Sequence, residues 1–351
     1  MKKFEALFGG KKEKKKPEAP EPESNKEGTG ELSGIERATK IREEIAGIAG
    51  GRNFESLNVE DLRRVLDKHR EMEGVLGIAS ERGIEGSVQE QMDMAREILG
   101  EKDFFGPEDI EKIWGVRLAP EDIPPLPFAR EDLEYARDHG QFLTLRISET
   151  DDGKPLTILA MDDMQKEVYG EAGGGKLFYS RNDEWKKKSD FYTEESPRRA
   201  WALVSKDILP ESANKNYLQQ TDELVRSIED AYQGRTMPEK YQDAVAKYRS
   251  EREPLEKLME SDWKRAAESL EGLKLTEFAR HTPVEVVFDG ISRFLKTGEK
   301  FLENTYTWTS RRDADGRLVD VGGFDSGGAI VGWWDPDDSD DRLGVSLSRS
   351  S

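Results

Sequence analysis

The densest run of potential metal-ligating oxygens is Asp335-Pro-Asp337-Asp338-Ser339-Asp340-Asp341, directly after the aromatic pair Trp333-Trp334. Carboxylates so spaced suit a hard cation such as calcium. The EF-hand register is broken, however: Asp340 stands where the sharp-turn glycine belongs and Ser346 where the bidentate glutamate belongs. A solvated turn is the expected reading, and no metal is assigned. Gly173-Gly174-Gly175-Lys176 invites a phosphate loop, but Leu177 follows the lysine where Ser or Thr is required, and Phe178-Tyr179 read as strand. A flexible hairpin turn is expected there. His69, His139 and His281 lie far apart in the sequence, and neither an HExxH nor a GxSxG pattern occurs. Asp162-Asp163 is one of many acidic pairs in a chain with 73 Asp and Glu residues, so adjacency carries no information. With no cysteine, disulfides, thiolate zinc sites, Fe–S clusters and cysteine nucleophiles are excluded. No catalytic residue and no cofactor is assigned, and an enzyme is not expected.

The chain that must position these groups has 351 residues and a net charge of −19, which argues against nonspecific nucleic-acid binding because phosphates are repelled. It is 36% charged and 35% hydrophobic, with a mean hydropathy of −0.80, the balance of one moderate core and long solvated helices. No apolar run approaches the roughly 20 residues of a membrane span. Phe4, Leu7 and Phe8 do not make a secretory signal, so cytoplasmic residence is the default.

Residues 1–34 include KKEKKKPEAPEPESNKEGTG and are expected to be a disordered charged tail. Residues 35–119 read as helical. Asn58 caps a helix with the stripe Leu62, Val65, Leu66, Met72 and Leu76, and Ser87-Val-Gln-Glu90 forms a capping-box pattern before Met92, Ala95, Ile98 and Leu99. Gly106-Pro107 opens a short helix carrying Ile110, Ile113 and Trp114. The stiff stretch 120–127 is the expected domain boundary. Beyond it, Gln141–Ile147 and Leu156–Ala160 read as strands joined at Asp151-Asp152-Gly153, and Trp201–Val204 as another. Helices are expected over Asn216–Tyr232, Pro238–Leu270 and Pro283–Leu302.

From Tyr306 to Arg349, short hydrophobic pieces (Leu318, Val319 and Val321; Ile330 and Val331; Leu343, Val345 and Leu347) alternate with turns rich in Gly, Asp and Ser. Leu343, Val345 and Leu347 alternate with Gly344, Ser346 and Ser348, which predicts one buried and one polar face. Aromatics and arginine beside small polar residues are the chemistry of a recognition surface.

Tyr306-Thr-Trp308-Thr-Ser310-Arg311, Val321-Gly-Gly-Phe324-Asp-Ser-Gly327 and Leu343-Gly344-Val345 with Ser348-Arg349 resemble the end of prokaryotic C-type-lectin-like modules, relatives of the formylglycine-generating-enzyme-like folds. Trp201–Ser205, Lys215–Thr221 and Thr297-Gly-Glu299 extend the likeness to an uncharacterised bacterial family of candidate phyla. Such ends serve as variable proteins of diversity-generating retroelements, in which adenine-directed mutagenesis converts Asn codons to Asp, Ser, Gly, Ala or Tyr. Between Arg312 and Arg342 this chain has no Asn. Formylglycine-generating activity is not implied, because its cysteines have no counterpart.

Together with the helical N-terminal region, the expected class is α+β, and the resemblance implies a C-type-lectin-like mixed α/β domain over 128–351 with long helices, short C-terminal strands, a helical insertion at about 211–271 and a variable segment at about 306–349. The expected function is noncatalytic display of Asp320, Asp325, Trp333, Trp334, Asp335, Asp337, Asp338, Asp340, Asp341 and Arg342 toward a protein or glycan. The acidic bias favours a basic or hydrogen-bond-donating partner. The alternative is an intracellular scaffold that uses its N-terminal helices, with a purely structural C-terminal segment.

Overall fold

The computed structural model describes residues 87–180 and 184–350. The charged tail, the helix expected after Asn58 and His69 therefore lie outside the described residues. The fold is α+β, and the described residues make one compact unit.

Local signals set the first elements. Ser87 accepts the Glu90 N–H while the Glu90 carboxylate accepts the Ser87 N–H, so helix α1 (Val88–Leu99) starts on the expected capping box. Helix α2 (Pro107–Trp114) begins on its proline and ends at Gly115 in the left-handed region, φ 70°. Helix α3 (Arg130–Asp138) follows. The stretch 120–127 is not a boundary. Leu126 is fully buried, and α1 and α2 share one hydrophobic core with elements beyond residue 128.

The first sheet has the order β1-β2-β3-β8, from Phe104–Phe105, Gln141–Arg146, Ala200–Ser205 and Ser348–Ser350. The turn at Asp151–Gly153 forms as expected, closed by the Glu149–Pro155 bridge. The strand expected at Leu156–Ala160 does not form. Thr157 instead caps helix α4 (Ile158–Glu171) by accepting the Ala160 N–H, and Ile158, Met161, Gln165 and Tyr169 bury one helical face. A short apolar run does not reveal its period, and here the capping threonine decides it.

Short helices α5 (Glu184–Lys187) and α6 (Asp190–Thr193) precede β3. Helix α7 (Tyr217–Ala231) starts on an Asn216–Gln219 capping box. The single helix expected over Pro238–Leu270 is two, α8 (Glu239–Ser261) and α9 (Trp263–Glu271), broken at Asp262, whose extended backbone (φ −155°) lets its side chain cap Arg265. Helix α10 (Lys274–Ala279) leads to α11 (Pro283–Thr297), which is buried continuously from Pro283 to Phe294 and stops at Gly298, short of the expected Leu302.

The second sheet has the order β6-β5-β4-β7, from β4 (Tyr306–Arg312), β5 (Leu318–Gly322), β6 (Ile330–Trp334) and β7 (Leu343–Gly344). Val319, Val321 and Val331 pack into the core that contains α11, while Trp308 and Leu318 pack into a second core with residues of α7 to α10. Alternation along the strands thus serves two cores, one per face. The polar face expected at Gly344, Ser346 and Ser348 is buried too, because the chain crosses from the second sheet into the first between β7 and β8.

The Gly173–Lys176 stretch is not a hairpin. It lies along the 326–329 turn, with Lys176 N–H donating to Ser326 O at 3.4 Å and Phe178 bridging Ala329. At Gly175 (φ 84°), a Cβ would stand 2.5 Å from Ser326 O, so close approach and backbone sign account for the glycine without a phosphate.

Candidate functional site

Register builds the candidate site. Trp308 on β4, Asp320 on β5 and Gly332 on β6 are cross-strand neighbours, so they share one face of the second sheet. The adjacent rows add Tyr306 with Ile330, and Trp334 opposite Leu318. Glycine at 332 leaves room for the carboxyl group: a Cβ there would lie 2.7 Å from Asp320 Oδ1. The result is an open pocket of about 330 Å³. Tyr306, Ile330 and Trp334 supply apolar surface, Asp320 and Gly332 lie beneath, and Trp333, Asp340 and Arg342 complete the lining.

Asp320 is 2% exposed, and its Oδ1 accepts no hydrogen bond. Burial raises its pKa to about 7, an effect that its own backbone, the Trp334 indole N–H and the distant charge of Lys186 only partly offset. Burial also raises the Tyr306 hydroxyl, against the pull of Arg342. Arg342 stands 5.5 Å over the Tyr306 ring, and its Nε is 3.7 Å from Asp340 Oδ1.

The display surface expected from sequence is thus divided. Asp320, Trp333, Trp334, Asp340 and Arg342 meet around the pocket. Asp320 is a correction, since it was expected to face solvent and instead lies buried within the sheet. The remaining residues do not line it. Asp325 sits in a separate exposed turn, where its Oδ1 accepts the Gly327 N–H at 2.6 Å. Asp335 donates its N–H to Asp338 Oδ2 at 3.0 Å, and its pKa is raised by burial and by the charges of Asp338 and Asp337. Asp337, Asp338 and Asp341 are exposed. Trp333, 41% exposed, carries the Arg317 guanidinium 3.3 Å over its ring. Among the described residues no group of three His, Asp or Glu side chains is placed to hold a metal ion. Tyr306, Ile330 and Gly332 are not among the site residues expected from sequence. The signal for them was strand alternation, which needed the register to become a site.

A second polar cluster was missed altogether. Arg146 on β2 donates to both oxygens of Asp289 on α11, at 3.1 and 2.6 Å, to Ser348 Oγ at 3.0 Å, and pairs with Glu285 at 3.2 Å. His281 lies between Asp289 (3.4 Å) and Ser346 Oγ (3.3 Å), which brings serine, histidine and aspartate into line. The protons run the wrong way for a nucleophile. Ser346 Oγ donates to Ser205 O at 3.0 Å, so His281 Nε2 donates to the serine, while Nδ1 accepts from Arg146 Nη2 at 3.2 Å. His281, Ser346 and Asp289 are fully buried. Burial lowers the His281 pKa, with Arg146 adding to the effect, so the imidazole is neutral. Burial alone would raise Asp289, but the Arg146 guanidinium holds it below the usual carboxylate range. This cluster ties β2, α11 and the chain end together. His139 stacks on Tyr135, their ring centroids 3.7 Å apart.

Comparison with protein-family models, curated proteins and solved structures returned no match. Among the described residues no helix is long and apolar enough to cross a membrane.

Proposed function

We propose that the chain is a noncatalytic ligand-binding protein whose C-terminal segment, 306–349, recognises its ligand at the pocket between β4, β5 and β6. One observation carries this reading. A buried carboxyl group without a hydrogen-bond partner on Oδ1 lies under an open, aromatic-lined pocket, and an unanswered polar group is costly unless something else uses it. Residues 337–339, 341–342 and 325–327 are exposed loop positions beside a sheet whose strands β4 and β5 pack into cores on both faces, an arrangement that tolerates sequence change in the loops without change in the scaffold. That division of labour supports a lectin-like display module of the diversity-generating retroelement kind. The cytoplasm is the compartment we propose, since a cysteine-free chain suits a reducing environment.

The test selects ligands from a glycan array and a random-peptide library, then exchanges residues 337–341 for a Gly/Ser loop and replaces Trp334 by Ala. Selected ligands should lose binding in both variants, while the loop exchange leaves the urea midpoint unchanged. Ligands indifferent to both changes, or a loop exchange that unfolds the protein, would sink the display reading.

A further inference from the structure

Resting on the reading of this pocket as a ligand site, we infer that its ligand presents a primary alkylammonium group, with Asp320 as counterion and Tyr306 and Trp334 as the walls beside its methylene stem. Three features select that chemistry. The carboxyl group is 2% exposed, its Oδ1 has no hydrogen-bond partner and no ion pair to it forms among the described residues, so a bound anion would meet an acid that no cation contacts. Arg342 does not fill that role, because its guanidinium lies 5.5 Å over Tyr306 and near Asp340. Asp320 Oδ1 lacks a donor, which an N–H-bearing ammonium supplies and a quaternary ammonium does not. The walls are aromatic, and ring faces stabilise both a cation and the alkyl stem behind it. The volume of about 330 Å³ accommodates a lysine-sized side chain or a small free amine, and openness on one side lets the stem leave toward a larger body.

The protonation of Asp320 then sets a pH dependence. The charged and titratable groups facing it are Tyr306 on β4, Lys186 on α5, and Asp340 and Arg342 on the loop before β7; the Trp334 indole on β6 adds a neutral donor. With Asp320 half ionised near pH 7, a cation binds the ionised form, so affinity rises with pH and levels off above it.

The experiment follows the indole N–H resonances of Trp333 and Trp334, assigned with single Trp→Phe variants of the full chain, during titration with n-butylammonium, n-butanol, tetramethylammonium and acetate at pH 8 and pH 6. Butylammonium should shift them saturably, at least about tenfold tighter than butanol, and about tenfold weaker at pH 6. Asp320→Asn should remove the preference for butylammonium over butanol, and the pH comparison asks the same question of the unmutated protein. A peptide with a central lysine binding more tightly than butylammonium assigns the ammonium to a protein side chain; the reverse order assigns it to a free amine. Equal binding of butanol and butylammonium, or no effect of pH, overturns the ammonium inference and leaves the pocket reading standing. No shift with any probe in the panel overturns both.

Discussion

Asp289 and Asp320 are both buried carboxyl groups, and they are treated in opposite ways. Asp289 on α11 receives two donors from Arg146 and lies beside His281, and it is held ionised. Asp320 on β5 has aromatic rings around it and an oxygen without a donor. The first belongs to a network whose members answer one another, so its value is internal. The second is answered incompletely by its own chain and opens onto a pocket. Completeness of pairing therefore separates the part of the molecule that holds shape from the part offered to a ligand.

The largest effect should come from breaking the complete network. Asp289→Asn leaves Arg146 buried with only Glu285 as counterion, and should cost about 3–5 kcal/mol in urea unfolding at neutral pH. Because the folded-state pKa of Asp289 is lowered, its contribution is present above the unfolded value and fades as pH falls through the folded one. The variant should therefore lack part of the acid limb of the wild-type stability curve. A loss below about 1 kcal/mol would mean that the network is not the structural tie described.

Asp320→Asn should move stability in the other direction. The folded protein holds a proton on Asp320 up to about pH 7, whereas the unfolded chain releases it near the ordinary value of 3.8. Between those limits the native state binds more protons, so wild-type stability falls as pH rises, and the deficit is complete above about pH 7. Removing the charge should stabilise the protein by about 2–4 kcal/mol at pH 8 and by little at pH 4. Destabilisation at both pH values would show that the carboxyl group is internally paired after all, and the contrast with Asp289 would collapse.

The contrast also marks what could be read from the sequence. Capping boxes at Ser87, Asn216 and Thr282 are local, spanning four residues, and the helices they open are where the sequence places them. The strands of the C-terminal segment were legible for the same reason, through turn residues that punctuate alternation. The register was not. That Asp320 stands opposite Gly332 depends on how β5 and β6 pair, and that His281 meets Ser346 depends on the crossing from β7 to β8. Grouping Asp320 with the displayed aspartates hid its burial: it lies between Val319 and Val321 in a strand buried along its length. A charged residue inside such a strand was the one available signal of an unusual site.

The smallest effect sharpens the comparison within the pocket itself. Trp333 and Trp334 are adjacent, so strand alternation sends them to opposite faces of β6. Trp333 is 41% exposed and sandwiched with Arg317, a cation–π contact at an exposed site. Its replacement by Ala should change stability by no more than about 1 kcal/mol and leave the Asp320 titration near pH 7, followed by carboxyl carbon NMR. Trp334 shares the face of Asp320, so Trp334→Ala should admit solvent and lower that titration toward 3.8, because desolvation is its main cause. If Trp333→Ala lowers it equally, both rings shield the carboxyl group. The pocket's dryness would then depend on the exposed edge of β6 as much as on the face it turns inward.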